Sequence, residues 1–373
     1  MPELAEIMDW AGEPVTAALL GLLTGGIFGV AAQRSRFCLR AATVEFARGR
    51  LGDRVAVWLL TFSTALVWVQ AGRLLGWIDT DEARMMAVPG SWSGAIIGGL
   101  IFGVGMVLAR GCSGRLLVLA ATGNLRSVVS GLIFAVVAQM SLAGYLAPVR
   151  DYLAGLWITS GGRNMDLLTA LSLPDWSGLA LGLGMAGLAL GVSLHNRIGA
   201  ARLIFASGVG FAVALGWALT SALAQVAFEP VQIESVTFTG PSARMLMFFL
   251  NRASVLEFDI GLVAGVFGGA MLAAALTGEM RIQAFDGAVT MRKAMIGAAL
   301  MGFGGMLAGG CAIGAGVTGG SIFAGTAWLA LFSMWVGAVL TDLLVDQRSL
   351  AATAWTGCEA LPRAPGYLEP EDT

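Results

Sequence analysis

Three cysteines sit where an apolar run gives way to a glycine- or arginine-rich break. Cys112 lies in LARGCSGRLLVLAATGN (residues 108–124) and Cys311 in LAGGCAIGAGVTGGS (residues 307–321). The two breaks share a layout, and each follows a glycine-punctuated apolar run, IIGGLIFGVGMVLA and MIGAALMGFGGMLA. Cys38 lies in RSRFCLRAA, at the end of another apolar run, while Cys358 lies in a polar tail and reads as incidental. No CxxC is present and the chain has one histidine, His195, in a short loop, so the spacing does not fit a zinc site.

Glycine-rich turns expose backbone N–H groups, and short helices starting there add partial positive charge; both suit an anion. A thiol adds a soft, weakly donating S–H, of little use to a hard oxyanion. The implied ligand is a small anion with a terminal sulfur or selenium, thiosulfate being the obvious candidate. The residues that would hold it are Cys38, Cys112 and Cys311, the turn glycines Gly111, Gly310 and Gly314, and the cations Arg110, Arg115 and Arg281. Three other readings stand beside this one. Buried cysteines commonly serve as small apolar core residues. Cys112 and Cys311 could carry a persulfide or a disulfide, making the protein a sulfur- or selenium-transfer or redox protein. Soft thiols could also pass a metal, although the 17 methionines are scattered along apolar faces, not clustered. Neither a catalytic group nor a cofactor is expected.

The elements that must position these residues are membrane spans. Of 373 residues 57% are apolar and 12% charged, against about 25% charged in a soluble domain. Mean hydropathy is +0.79. The expected fold is an all-α polytopic membrane protein with about nine transmembrane helices, at residues 15–32, 55–77, 93–109, 128–147, 179–194, 203–227, 260–276, 294–308 and 322–344. Short segments after each cysteine, such as residues 116–121, fall below the roughly 20 residues a crossing needs and read as re-entrant half-helices. The chain then divides into a polar lead (1–14), a first transmembrane half (15–148) with Cys38 and Cys112, a polar connection (149–178), a second half (179–344) with Cys311, and a soluble tail (345–373). The acidic start does not resemble a cleavable signal peptide.

Nine spans put the termini on opposite sides. One set of loops holds six arginines between Arg34 and Arg54, then Arg110–Arg126, Arg197, Arg202 and Arg281–Lys293. The other holds Asp79, Asp81, Glu82, Asp151, Glu229, Glu234 and Glu257. The positive-inside rule places the N-terminus outside and the C-terminus in the cytoplasm. The Cys112 and Cys311 modules then enter from opposite sides, as in transporters built from two inverted pseudo-repeats. A second pair of segments, Phe37–Ala41 and Met280–Ala284, would set Arg281 in the place that Cys38 holds. Asp286 and Asp342 lie near span ends and read as interfacial, so no carboxylate stands out as a proton relay.

The chain resembles the YeeE/YedE family of membrane proteins, whose characterised members are thiosulfate transporters. The marks are RSRFCLRAA, FGVGMVLARGCSG, EMRIQAFDGAVTMRKAMIGAALMGFG, LAGGCAIGAG and TGPSARMLMFFL, and they span nearly all of residues 15–344. The resemblance implies an inner-membrane protein of nine spans in two inverted halves. It implies that Cys38, Cys112 and Cys311 hand thiosulfate along by S–H···S contacts, without oxidation. It also implies a small cytoplasmic sulfur-carrier protein as partner, with membrane lipid around the spans. One departure stands out. Where the family commonly has Gly-Gly-Cys this chain has Arg110-Gly111-Cys112, so Arg110 either brings a fixed charge to the anion or snorkels to the surface.

Overall fold

The computed structural model describes residues 2–228, 230–252, 255–284 and 287–346. Asp286, Glu229 and Cys358 lie outside them. The helices run in order α1 (Pro2–Ala11), α2 (Glu13–Ser35), α3 (Leu39–Ala47), α4 (Asp53–Leu74), α5 (Arg84–Ala87), α6 (Trp92–Leu108), α7 (Ser113–Ala121) and α8 (Leu125–Ala143). Then come α9 (Ala147–Gly155), α10 (Leu167–Ala170), α11 (Ser177–His195), α12 (Ala200–Val226), α13 (Thr239–Leu250), α14 (Phe258–Leu276), α15 (Ala288–Leu307), a π-helix π1 (Ala312–Gly319) and α16 (Gly325–Thr341). Among the described residues nine helical stretches are long and apolar enough to cross a membrane, and no extended strand is present. The chain is an all-α, multi-pass membrane protein.

Small residues let these helices touch backbone to backbone. Gly21, Gly25 and Gly29 line one face of α2, and Gly261, Gly265 and Gly269 line the facing stripe of α14. A Cβ on Gly21 would strike the Phe258 carbonyl, and one on Gly261 would strike the Ala18 carbonyl. Lipid tails compete for every apolar face, so dispersion contact at this range is what holds two spans together.

Three spans end in one and the same turn. Arg36, Arg110 and Gly309 take left-handed φ values of 55°, 57° and 78°. After each, the next N–H reaches back five residues: Phe37 to Ala32 O, Gly111 to Met106 O, and Gly310 to Gly305 O. These are Schellman turns. In each the following residue is a cysteine, which becomes the N-cap of the next short helix, α3, α7 or π1.

The ends of the helices sort by charge. At one end Arg202 bonds Asp53 and the Ser35 carbonyl, and Asn196 bonds the Leu51 carbonyl. At the other, Phe228 N–H donates to Glu13, and Arg84 N–H to the Ile233 carbonyl. The first is the basic end; the second, which carries Asp79, Asp81 and Asp151, is the acidic end. Contacts between elements follow one rule: they are preserved when α2, α3, α4, α6, α7 and α8 are exchanged with α12, α13, α14, α15, π1 and α16. Thus α6 packs on α16 as α15 packs on α8, and α3 on α4 as α13 on α14. Helix α11 stands outside the exchange, against α4.

Candidate functional site

Sites at the basic end are built on the caps of α3 and α7. The Cys38 and Cys112 thiols lie beside each other. The Cys38 sulfur also lies within reach of the N–H groups of Ala41 and Cys112, and the Cys112 sulfur of those of Arg115 and Leu39. Cys112 is fully buried, and Cys38 half-buried. Arg115, three residues into α7, sets its guanidinium beside both sulfurs. Its Nη1 is buried and has no hydrogen-bond partner. A buried cationic N–H with no partner favours an anion beside it, so two thiols and this nitrogen form a candidate site for an anion with a soft atom.

Cys311 caps π1 from the opposite end. It is fully buried, and its sulfur accepts the Gly314 N–H at 3.3 Å. Gly314 takes the place that Arg115 has in α7, and a Cβ there would strike Thr237 Oγ1. The Cys311 thiol is therefore walled by backbone and hydroxyl, with no cation in its first turn.

Between the thiol pair and Cys311 stands an apolar barrier. Phe238, the N-cap of α13, is 1% exposed and packs on Phe28 with ring centroids 5.3 Å apart. A Cβ on Gly114, in the first turn of α7, would meet Ile313 of π1 and the Phe238 ring. A buried strap, residues 233–238, leads into this point, held by Ser235 Oγ on the Val213 carbonyl and Thr318 Oγ1 on the Val236 carbonyl. TGPSARMLMFFL is a mark of the family resemblance, but nothing in it says that Phe238, the residue just before it, packs between α7 and π1.

At the acidic end a vestibule of about 330 Å³ leads to the Gly305–Gly310 turn. Arg84, Arg150 and Arg244 line it, with Asn164, Thr237 and Thr239. Behind it lie the buried carboxylates Glu234 and Asp259. None of these residues has a signature spacing; they come from six different segments of the chain.

Several expected site residues take other places. The Gly111 and Gly310 N–H groups are spent on the turns, bonding Met106 O and Gly305 O, and Gly314 N–H is spent on Cys311. These glycines shape the caps and offer no free donor. Arg110 is exposed at the basic end, the snorkelling outcome. Arg281 is exposed too; its N–H bonds the Thr122 carbonyl, and it caps no helix. Asp342, at the C-terminal end of α16, is fully buried and pairs with Arg48 at 3.2 Å. His195 is exposed at the end of α11.

Comparison with known proteins follows the same geometry. The "Thiosulfate transporter TsuA" of Escherichia coli (strain K12) is 29% identical over 359 residues, covering 88% of this chain and 95% of the relative. A protein of the same name from Spirochaeta thermophila (strain ATCC 700085 / DSM 6578 / Z-1203) is 28% identical over 327 residues, covering 83% and 93%. The family model described as Sulphur transport matches residues 34–340, from the turn before Cys38 to the last span. The chain that sets three cysteines on three helix caps thus belongs to the sulphur-transport family of membrane proteins.

Proposed function

We propose that this protein takes up thiosulfate through the bilayer, receiving it at the acidic end and releasing it at the basic end. The observation that carries this reading is the adjacent Cys38 and Cys112 thiols beside the unpartnered Arg115 Nη1. The names of two relatives aligned over most of the chain supply the substrate. The exchange rule among helix contacts supports two inverted halves, with α3, α7, α13 and π1 as re-entrant half-helices. That pairing sets Phe238, not Arg281, opposite Cys38. The concentration of arginines at the basic end supports a cytoplasmic basic end and a periplasmic N-terminus in an inner membrane.

The route follows from the chemistry. The vestibule arginines collect the anion by charge. Cys311 offers a soft S–H donor to the terminal sulfur, then Phe238 and Ile313 must move aside. Cys112 and Cys38 receive the same sulfur while Arg115 balances the dianion. No S–S bond is made or broken, so the protein works as a carrier and not as an enzyme. A small cytoplasmic sulfur-carrier protein would accept the cargo below.

Growth of a bacterium lacking its own sulfate and thiosulfate uptake, on thiosulfate as sole sulfur source, tests this. The intact protein restores growth, and Cys112→Ala and Cys311→Ala each abolish it at equal membrane abundance. Growth that survives both changes would return the cysteines to core packing. Absence of growth with the intact, inserted protein would reject thiosulfate as the cargo.

A further inference from the structure

The transport route leaves one buried charge network unused. Glu234, on the strap before α13, is 8% exposed, and Asp259, in the first turn of α14, is 1% exposed. Glu234 Oε2 and Asp259 Oδ1 have no hydrogen-bond partner among the described residues. Two arginines face them. Arg84 Nε stands 3.9 Å from Glu234 Oε2, and Arg244 Nη1 reaches Asp259 Oδ2 at 2.5 Å and Glu257 Oε2 at 3.4 Å. Both arginines also line the vestibule. The other neighbours are few. Glu13 of α2 lines the cavity behind Glu234 and accepts the Phe228 N–H. Helix α12 offers the uncharged Thr220 hydroxyl, bonded to the Glu234 main chain.

An anion in the vestibule and the two carboxylates therefore compete for the same two guanidiniums. A buried carboxylate that loses its cation is costly and takes a proton instead. We propose that Glu234 is a proton site linked to anion occupancy of the vestibule, so that the anion binds together with a proton. The identity of the anion rests on the transport reading above. In the step, a solvent proton from the acidic end passes to Glu234, and the anion replaces its carboxylate on Arg84, with Arg244 close by on Asp259; no other bond changes. Linkage makes the effect reciprocal. Burial, together with the Asp259 charge, pushes the Glu234 carboxyl up to about 8 against the pull of Arg84 and Arg244. Below that pH Glu234 is neutral and Arg84 is open to the anion; above it the carboxylate holds Arg84. Anion affinity is thus full at low pH and falls as pH rises through about 8.

Calorimetry on the purified full chain with thiosulfate tests the linkage. Between about pH 7 and about pH 9 the wild-type Kd rises by up to about tenfold, the change set by titrating one group. Near pH 8, binding heats compared in two buffers of different ionisation enthalpy show net proton uptake. In Glu234→Gln the Kd is flat over this range and proton uptake is lost. A wild-type Kd independent of pH with no proton uptake overturns the proposal, as does a Glu234→Gln variant that keeps the wild-type profile. Should that variant not fold, the wild-type proton count decides alone. Labelled thiosulfate uptake into liposomes separates the two readings. Binding with a proton but without uptake removes the transport reading and keeps the proton site. Uptake without a proton does the reverse, and thiosulfate that does not bind overturns both.

Discussion

The caps of α3 and α7 and the caps of α13 and π1 are related by one exchange of helices, yet they carry different chemistry. The first pair presents Cys38, Cys112 and the half-buried Arg115 with its unpartnered Nη1. The second presents Phe238, Cys311 and, where Arg115 would stand, Gly314 packed against Thr237. The cation of the second site has moved outward, to Arg84, Arg150 and Arg244 in the vestibule. One backbone thus serves two tasks. At the acidic end three arginines line an open cavity and a single buried thiol lies at the inner turn. At the basic end one cation and two thiols come together. In the proposed route, the first would collect the anion and the second would receive it.

The sharpest way to break the comparison is Arg115→Met. A guanidinium with no partner costs the empty protein, and its replacement by a side chain of similar length is neutral or stabilising. Thermal unfolding should therefore stay level or rise, while labelled thiosulfate uptake falls to background. A variant that unfolds early, or one that still transports, would show Arg115 to be structural. Next comes Phe238→Ala, which opens the barrier between the two sites at a cost of about 3–5 kcal/mol. It should lower the unfolding temperature and admit anions that the wild type excludes, read by liposome leakage. Gly314→Ala drives a methyl group into Thr237. Its expected cost is about 1–3 kcal/mol, read by unfolding temperature, with uptake reduced because the Cys311 thiol is displaced. The smallest effect belongs to Arg110→Gly. It relieves a left-handed residue of about 1–2 kcal/mol of strain and removes only an exposed charge. Unfolding temperature should rise slightly and uptake should change by less than about twofold, under 0.5 kcal/mol. A large loss would mean that Arg110 meets the anion after all.

The cysteines were legible as turn positions because a break between two apolar runs leaves few conformations open. An αL residue closes the first helix, and the residue two places on starts the next. What the anion would meet there was less legible. The N–H groups of Gly111, Gly310 and Gly314 looked like free donors in the sequence, but closing a Schellman turn or capping a cysteine uses each of them. The weak match of Met280–Ala284 to Phe37–Ala41 ranked Arg281 with Cys38. Packing places Arg281 in an exposed connection and brings Phe238 to the matching cap, since helix contacts and not residue similarity decide which segments are equivalent.

By itself the sequence determined the membrane class, the number of spans and the caps on which Cys38, Cys112 and Cys311 lie. These follow from local rules: a run of apolar residues must cross a bilayer, and a turn ends a helix wherever its residues permit. Only the tertiary structure decided which thiols face each other, that the Arg115 guanidinium sits beside them, that Phe238 packs between the two cysteine caps, and that Glu234 and Asp259 share two arginines with a vestibule. Those juxtapositions join residues from distant segments, and they depend on glycine stripes letting helices approach to backbone contact. The energy of such contact is short-ranged, so it acts only once the chain has folded and leaves no local trace in composition or spacing.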